Sequence, residues 1–395
     1  MRLRHHGPLV APLCAGVTLI VLVTGVVIAA PGQVNSSRAF GPGHCGPADP
    51  TYVRVANATG GQVMPLGPDE IVAAAPLMMA SSGTETVLWL TSSLAPNGRV
   101  IKVPVDGVTS RVSFIASTVN SLADLVVVDP RGTPVGAGMP GVDASAFACV
   151  RAVTIDRPAA GEWSVRVSGT GTFWLTVHAT SELALEDAEF VHLAGRPGHE
   201  GLFKIQGQPL AGRPATLRAR VPREEVGDAK FDLVSMSGAT LQATSLAPVA
   251  PASIEAVFVG DIAQLPTVPF RVRVSGRDRT GAAYQRVSSV AFQAATVEVA
   301  GPPTIAVERA RQTPVKVRIS NLGSPVQLQV VAVFGARTMR VEPATVRLNT
   351  NESREVTVVV DVPAGPATSS EDLIVSAGQA GGGGASNSAI IRAAD

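Results

Sequence analysis

Aromatic residues are sparse, only 4% of a 395-residue chain that holds 3 Trp and 2 Tyr. Any buried core must therefore be built from Val, Leu, Ile and Ala. Lysine is rarer still: 28 of the 32 basic residues are arginine, and the net charge is +1. No basic block with interleaved rings occurs, which sets nucleic-acid binding aside. The chain also lacks a Gly-x-Ser-x-Gly elbow, a His-Glu-x-x-His pair, a Walker loop and a Cys-x-x-Cys pair. These absences point away from catalysis and give no catalytic residue, no cofactor and no metal-ligand set.

What the chain does contain is valine, with 46% apolar residues, 39 glycines and 30 prolines. That balance suits many short strands joined by tight turns. The string Val-Arg-Val-Ser-Gly occurs at Val165–Gly169 and again at Val272–Gly276, 107 residues apart. In each copy alternating valines face a core, and the Ser-Gly is expected to close a turn. A spacing of about a hundred residues predicts tandem modules, so the expected fold is all-β: antiparallel β-sandwiches of jelly-roll or immunoglobulin-like type.

Residues 1–30 carry Arg2 and Arg4, then an apolar run from Leu9 to Ala30. This is either a signal peptide cleaved after Ala29 or an uncleaved anchor just long enough to span a bilayer. Either reading makes the remainder secreted or displayed at the cell surface, with membrane contact only through this segment. Cys14 falls inside the run, which leaves Cys45 and Cys149 as a disulfide pair in an oxidising compartment or as two buried thiols.

The expected layout is a linker over 31–83, then sandwiches over 84–181, 182–299 and 300–395. Within the linker, Thr51–Ala56 alternates like a short strand. Pro68-Asp69-Glu70 opens the one predicted helix, over 68–80, with Ile71, Ala74, Ala75 and Met78 at helical spacing. In the first sandwich Trp163–Val167 and Phe173–Val177 are expected to form a hairpin about Gly169-Thr170-Gly171, both rows pointing inward. Arg218/Arg220 and Arg271/Arg273 alternate toward solvent, and His178 reads as a surface residue on the outward face of its strand.

Other polar residues have ordinary structural readings. His192, His199 and Glu200 cluster near a linker without further ligands of suitable geometry. Asp278 and Gly281 bracket a turn, and Asp124 and Asp129 flank a strand with no reason to converge in a cleft. Asn-x-Ser/Thr acceptors occur at Asn35, Asn57 and Asn351.

Three blocks together resemble the region that follows the von Willebrand factor A (VWA) domain in hemicentin-like extracellular proteins. They are Tyr52–Val63, then Val105-Asp106 with Leu125–Gly132 through Pro158–Trp163, then Phe190–Gly212. The resemblance implies that Tyr52–Val63 is the last strand of a VWA domain leading to its last helix. It also implies that Tyr52–Ala80 is a remnant packed loosely on the first sandwich. The VWA domain itself is absent: Asp143-Ala144-Ser145-Ala146-Phe147 lacks the second serine of the family's metal motif, so no metal site carries over. The function expected is adhesive or scaffolding binding of protein or glycan partners at the cell surface. The alternative is an accessory subunit of an exported enzyme or of a separate VWA protein.

Overall fold

The computed structural model describes residues 21–23, 26–28, 45, 49–81, 85–194, 198, 200–205, 207–222, 226–249, 255–308, 310–335, 337–362, 372–379 and 386–394. Valine-rich runs broken by Gly and Pro become strands along nearly all of this length, and three antiparallel β-sandwiches follow one another. Of the apolar leader, Val21–Val23 and Val26–Ile28 pair antiparallel, and the second runs parallel to Gln62–Val63. Arg2, Arg4 and Cys14 lie outside the described residues. Among the described residues no helix is long and apolar enough to cross a membrane.

The first sandwich is organised by one strand of 21 residues, Gly161–Ser181. Its first half pairs with Arg99–Val105 and Ser121–Val128, its second with Glu85–Leu94 and Thr109–Thr118. One strand therefore belongs to both sheets. The expected hairpin at Gly169–Gly171 does not form; the chain bends there without reversing. Gly169 at φ 148° and Gly171 at φ 86° take up the bend beside a register shift at Ser168/Gly169. Trp163, Val165 and Val167 still meet Phe173, Leu175 and Val177 in one core, now from opposite sheets. The second Val-Arg-Val-Ser-Gly copy also runs straight on. Val272 and Val274 enter the second core, and Gly276 continues the strand Phe270–Asp278, where a Cβ would collide with the Asp228 carbonyl.

Residues 49–81 fold into a cap on the outer face of a first-sandwich sheet, and they depart most from expectation. Thr51–Ala56 is helical, inside α1 (Pro50–Thr59). Asp49 accepts a hydrogen bond from the Thr51 N–H at 2.7 Å, Pro50 presets the first turn, and Gly60 closes the helix in the left-handed region at φ 78°. These end signals outweigh the strand preference of Val53 and Val55. The predicted 68–80 helix is two pieces, α2 (Pro68–Ile71) and α3 (Ala75–Ser81). Pro76 is the cause: it has no N–H to give the Val72 carbonyl, and its ring would crowd that carbonyl in a continuous helix.

The cap does not pack loosely. Met64 and Leu77 are fully buried against Ile115, Val150 and Ala152, and Ala56 and Val63 pack on Trp89 and Trp174. Val112, Phe114 and Ala116 point into the sandwich core, while Ile115 points the other way, under the cap. The sheet is buried on both faces. Cys45 and Cys149 form a disulfide, with Cα atoms 5.8 Å apart, that ties Cys45 to the start of strand Val150–Asp156.

The second sandwich packs the sheet holding Asp187–Ala194, Ala215–Pro222 and Glu255–Ile262 against the one holding Val226–Ser235, Phe270–Asp278 and Ala283–Val287. Phe190, Phe231, Phe270 and Tyr284 fill its core. In the third, Val356, Val358, Val360 and Val362 line a core of aliphatic residues. Strand Val297–Ala300 pairs with Gln312–Asn321, so the third sandwich begins ahead of the boundary expected at 300. Gly381–Gly384, expected as a loop, lies outside the described residues.

Two stability outcomes follow from the cap. Leu77→Ala should cost about 2–5 kcal/mol in a urea titration, because the emptied volume lies between two layers that cannot collapse together. Replacing Cys45 and Cys149 with serine frees a loop of 104 residues and should lower stability by up to about 4–5 kcal/mol.

Candidate functional site

The face of the first sandwich under the cap carries residues that an ordinary two-layer sandwich would expose. Ser117 and Thr176 are buried there, at 0% and 1% exposure, and Gln62 satisfies them. The Gln62 amide donates to the Ser117 hydroxyl at 2.9 Å and accepts from the Thr176 hydroxyl at 2.6 Å. The Ser117 hydroxyl donates in turn to the Val63 carbonyl. His178 shares this side of the long strand, so it is buried rather than on the surface. Burial lowers its imidazole pKa to about 4, and its Nδ1 has no hydrogen-bond partner.

A second group of polar residues locks the first sandwich to the second. Asp106 and Arg286 pair at 2.6 Å with both side chains fully buried. Asp106 also accepts from the hydroxyls of Thr109 and Ser181, and Arg286 donates through Nε to the Leu183 carbonyl. Nearby, the Gly107 N–H donates to the Asp278 carboxylate at 2.6 Å, and the Gln285 amide donates to the Val87 carbonyl. Burial works to raise the Asp278 pKa. Hydrogen bonds from the Thr280 hydroxyl and from the N–H groups of Gly107, Ala282 and Thr280 outweigh it and hold the carboxyl below its ordinary value.

The third feature is Arg271, expected at the surface and fully buried in fact. Its guanidinium lies 4.1 Å from the centre of the Trp89 ring and donates to the carbonyls of Ser288, Ser289 and Asn57. Asn57 sits in the last turn of α1, where carbonyls lack helical partners and the helix dipole is negative. The neighbouring Ala58 carbonyl accepts from the Ala291 N–H, and the Trp174 indole donates to Asn57 Oδ1 at 3.0 Å. Burial lowers the Arg271 pKa to about 9, so the group stays charged at neutral pH. Arg273 is half-buried and pairs with Asp232. Arg218 and Arg220 pair across strands with Glu189 and Asp187.

Beside this junction opens a cleft of about 370 Å³, lined by Arg54 and Asn57 of α1, by Gln208, and by Met236, Phe292 and Gln293 of the second sandwich, among others. Sequence reasoning missed it, since no two of these six residues except Arg54 and Asn57, or Phe292 and Gln293, are near in sequence. The Arg54-x-x-Asn57 spacing was the only available signal, and only once the segment is known to be helical.

The residues singled out in the sequence do not converge. His192 is exposed on strand Asp187–Ala194, Glu200 accepts from the Gly198 N–H, and His199 lies outside the described residues. Asp129 accepts from the N–H groups of Arg131 and Thr133, and Asp124 from that of Leu125. Among the described residues no three His, Cys, Asp or Glu side chains come together as a metal site. Of the glycan acceptors, Asn57 is held by Trp174, Asn351 is exposed in a turn at φ 60°, and Asn35 lies outside the described residues.

No protein-family model and no curated protein matches the chain. Among solved structures it is similar to the propeptide form of Bacillus licheniformis lipase BlEst2, at 12% identity and TM-score 0.26, over 64% of this chain and 46% of that one. It is similar to E. coli alpha-2-macroglobulin at 12% identity and TM-score 0.23, over 79% of this chain and 23% of that one. Mouse nectin-like molecule 4, a full ectodomain of Ig1–Ig3, aligns at 11% identity and TM-score 0.18, over 72% and 93%. The chain spans less than half the length of the first two.

Two outcomes test the buried groups. Asp106→Ala strands the Arg286 charge and should cost about 3–5 kcal/mol in chemical denaturation. His178 has a folded pKa near 4 against 6.5 unfolded, so the unfolded chain takes up its proton first as pH falls. Stability should drop by roughly 3 kcal/mol between about pH 6.5 and pH 4 on this account. Urea midpoints of His178→Gln across that range should decline less steeply than those of the parent.

Proposed function

We propose that the chain is an exported, non-catalytic β-sandwich binding protein that engages protein or glycan partners at the cell surface. One observation supports this reading above others: the cap and the first two sandwiches are tied by Asp106–Arg286 and by Arg271 into one fixed arrangement, with a cleft where they meet. Binding by such a body needs no reacting centre. A few anchor residues in a preformed recess carry the energy, because little ordering entropy is lost when the recess is already set. The Cys45–Cys149 disulfide supports an oxidising destination, since such bonds persist outside the reducing cytosol.

The test uses the purified, disulfide-intact chain, fluorescently labelled and applied to intact cells of the producing organism. Saturable retention is expected. Its loss after protease treatment of the cells identifies a protein partner, and its loss after periodate oxidation identifies a glycan. Retention that rises linearly with concentration, without saturation, overturns the proposal.

A further inference from the structure

The cleft beside α1 carries a charge and hydrogen-bonding bias that narrows what it can hold. Among the described residues no carboxylate lines it, and the one charged residue that does is Arg54. That guanidinium is exposed, and its one hydrogen bond among the described residues is a 3.3 Å contact to the Thr51 hydroxyl. The amides add to the bias because their orientation is set by their partners. An indole N–H only donates, so the Trp174 bond fixes the Asn57 oxygen toward the ring and leaves the Asn57 NH2 as the other end. Gln208 is turned by the same logic: its side-chain oxygen accepts from the Gln293 N–H at 3.0 Å. Neither NH2 group, nor the Gln293 side chain, has a partner among the described residues. Phe292 and Met236 supply apolar wall.

A recess with a guanidinium, two amide NH2 groups whose oxygens are already used, and an apolar wall repels cations and favours an anion with an apolar body. Planar guanidinium and amide donors match the in-plane lone pairs of a carboxylate. The volume is at the small end of ligand clefts, and such sites favour junctions between modules. We propose that this cleft binds a carboxylate attached to a short apolar group, with Arg54 as the charge partner and Asn57 and Gln208 as the flanking donors. Two sources share that chemistry: a small apolar carboxylic acid and the C-terminus of a polypeptide ending in an apolar residue. The inference rests on reading the chain as a binding protein and names the ligand class of its junction cleft.

The experiment is calorimetric titration of the full, disulfide-intact chain at neutral pH with four probes. These are 3-phenylpropionate, its primary amide, and an acetylated Gly-Ala-Leu-Phe peptide with a free or an amidated C-terminus. At least one free acid should bind saturably, and its amide at least about tenfold more weakly. Arg54→Glu and Gln293→Glu should each weaken binding by about tenfold or more, because each adds a negative charge at the cleft. Neither side chain supports the core, so circular dichroism and melting should not change. If phenylpropionate binds and the peptide does not, the source is a small acid; the reverse result assigns a polypeptide C-terminus; binding of both admits either. Acid and amide binding alike, no saturation of either acid by about 10 mM, or full binding by Gln293→Glu would each overturn the proposal. The two failures are distinguishable: saturable retention by intact cells with no binding of any probe overturns the ligand class alone, whereas retention that does not saturate overturns the binding reading itself.

Discussion

A buried guanidinium with no carboxylate beside it among the described residues sets the arrangement of the first half of this molecule. Arg271 sits on a strand of the second sandwich, yet its partners are the last turn of α1, the Ser288–Ser289 backbone and the face of Trp89. A charge out of water is tolerable only where oriented dipoles replace the lost hydration. Three carbonyl oxygens and an aromatic face do so here, and one of those carbonyls belongs to a helix end that would otherwise lack a partner. Moving α1 away would strand both the charge and the carbonyl. The Arg271 side chain and the Ala291–Ala58 backbone hydrogen bond therefore place the cap and the second sandwich relative to each other, with the Trp89 ring of the first sandwich stacked on the guanidinium.

The same cap decides the character of the first sandwich. Its sheet alternates inward and outward except at the bulges beside Val177/His178 and Thr180/Ser181, but the outward side is covered, so the polar residues there need internal partners. Gln62 meets this need for Ser117 and Thr176 with both ends of its amide. His178 is accommodated differently: it is kept neutral by burial. A face of this kind is a hybrid, apolar where Ile115 and Val150 meet the helices and hydrogen-bonded where hydroxyls meet Gln62. The disulfide joins Cys45, just ahead of the cap in sequence, to this same sheet.

How far the sequence was legible depends on the range of the interaction involved. Strand faces such as that of Val272 and Val274 follow from local alternation, and these valines do line a core. The inward rows of Trp163–Val167 and Phe173–Val177 were legible as well, but not whether the glycines between them reverse the strand or bend it, because the pairing partners, such as Leu88 opposite Val177, lie far back in the chain. Pro76 and Gly60 were visible signals for the helix break and the helix end. The strand-like valines of Thr51–Ala56 masked the Asp49-Pro50 start. The cleft was not legible, since it is assembled from α1 and several separate loops of the second sandwich.

By itself the chain determined an all-β architecture of valine-lined sandwiches, because side-chain alternation and turn residues act over a few positions and need no distant partner. It also paired Cys45 with Cys149 by elimination, leaving open whether they bond. Only the tertiary structure decided which outward faces stay wet. A polar residue at an outward position, such as His178 or Arg271, carries no local mark of what will cover it, and burial is settled by segments that arrive from elsewhere in the chain.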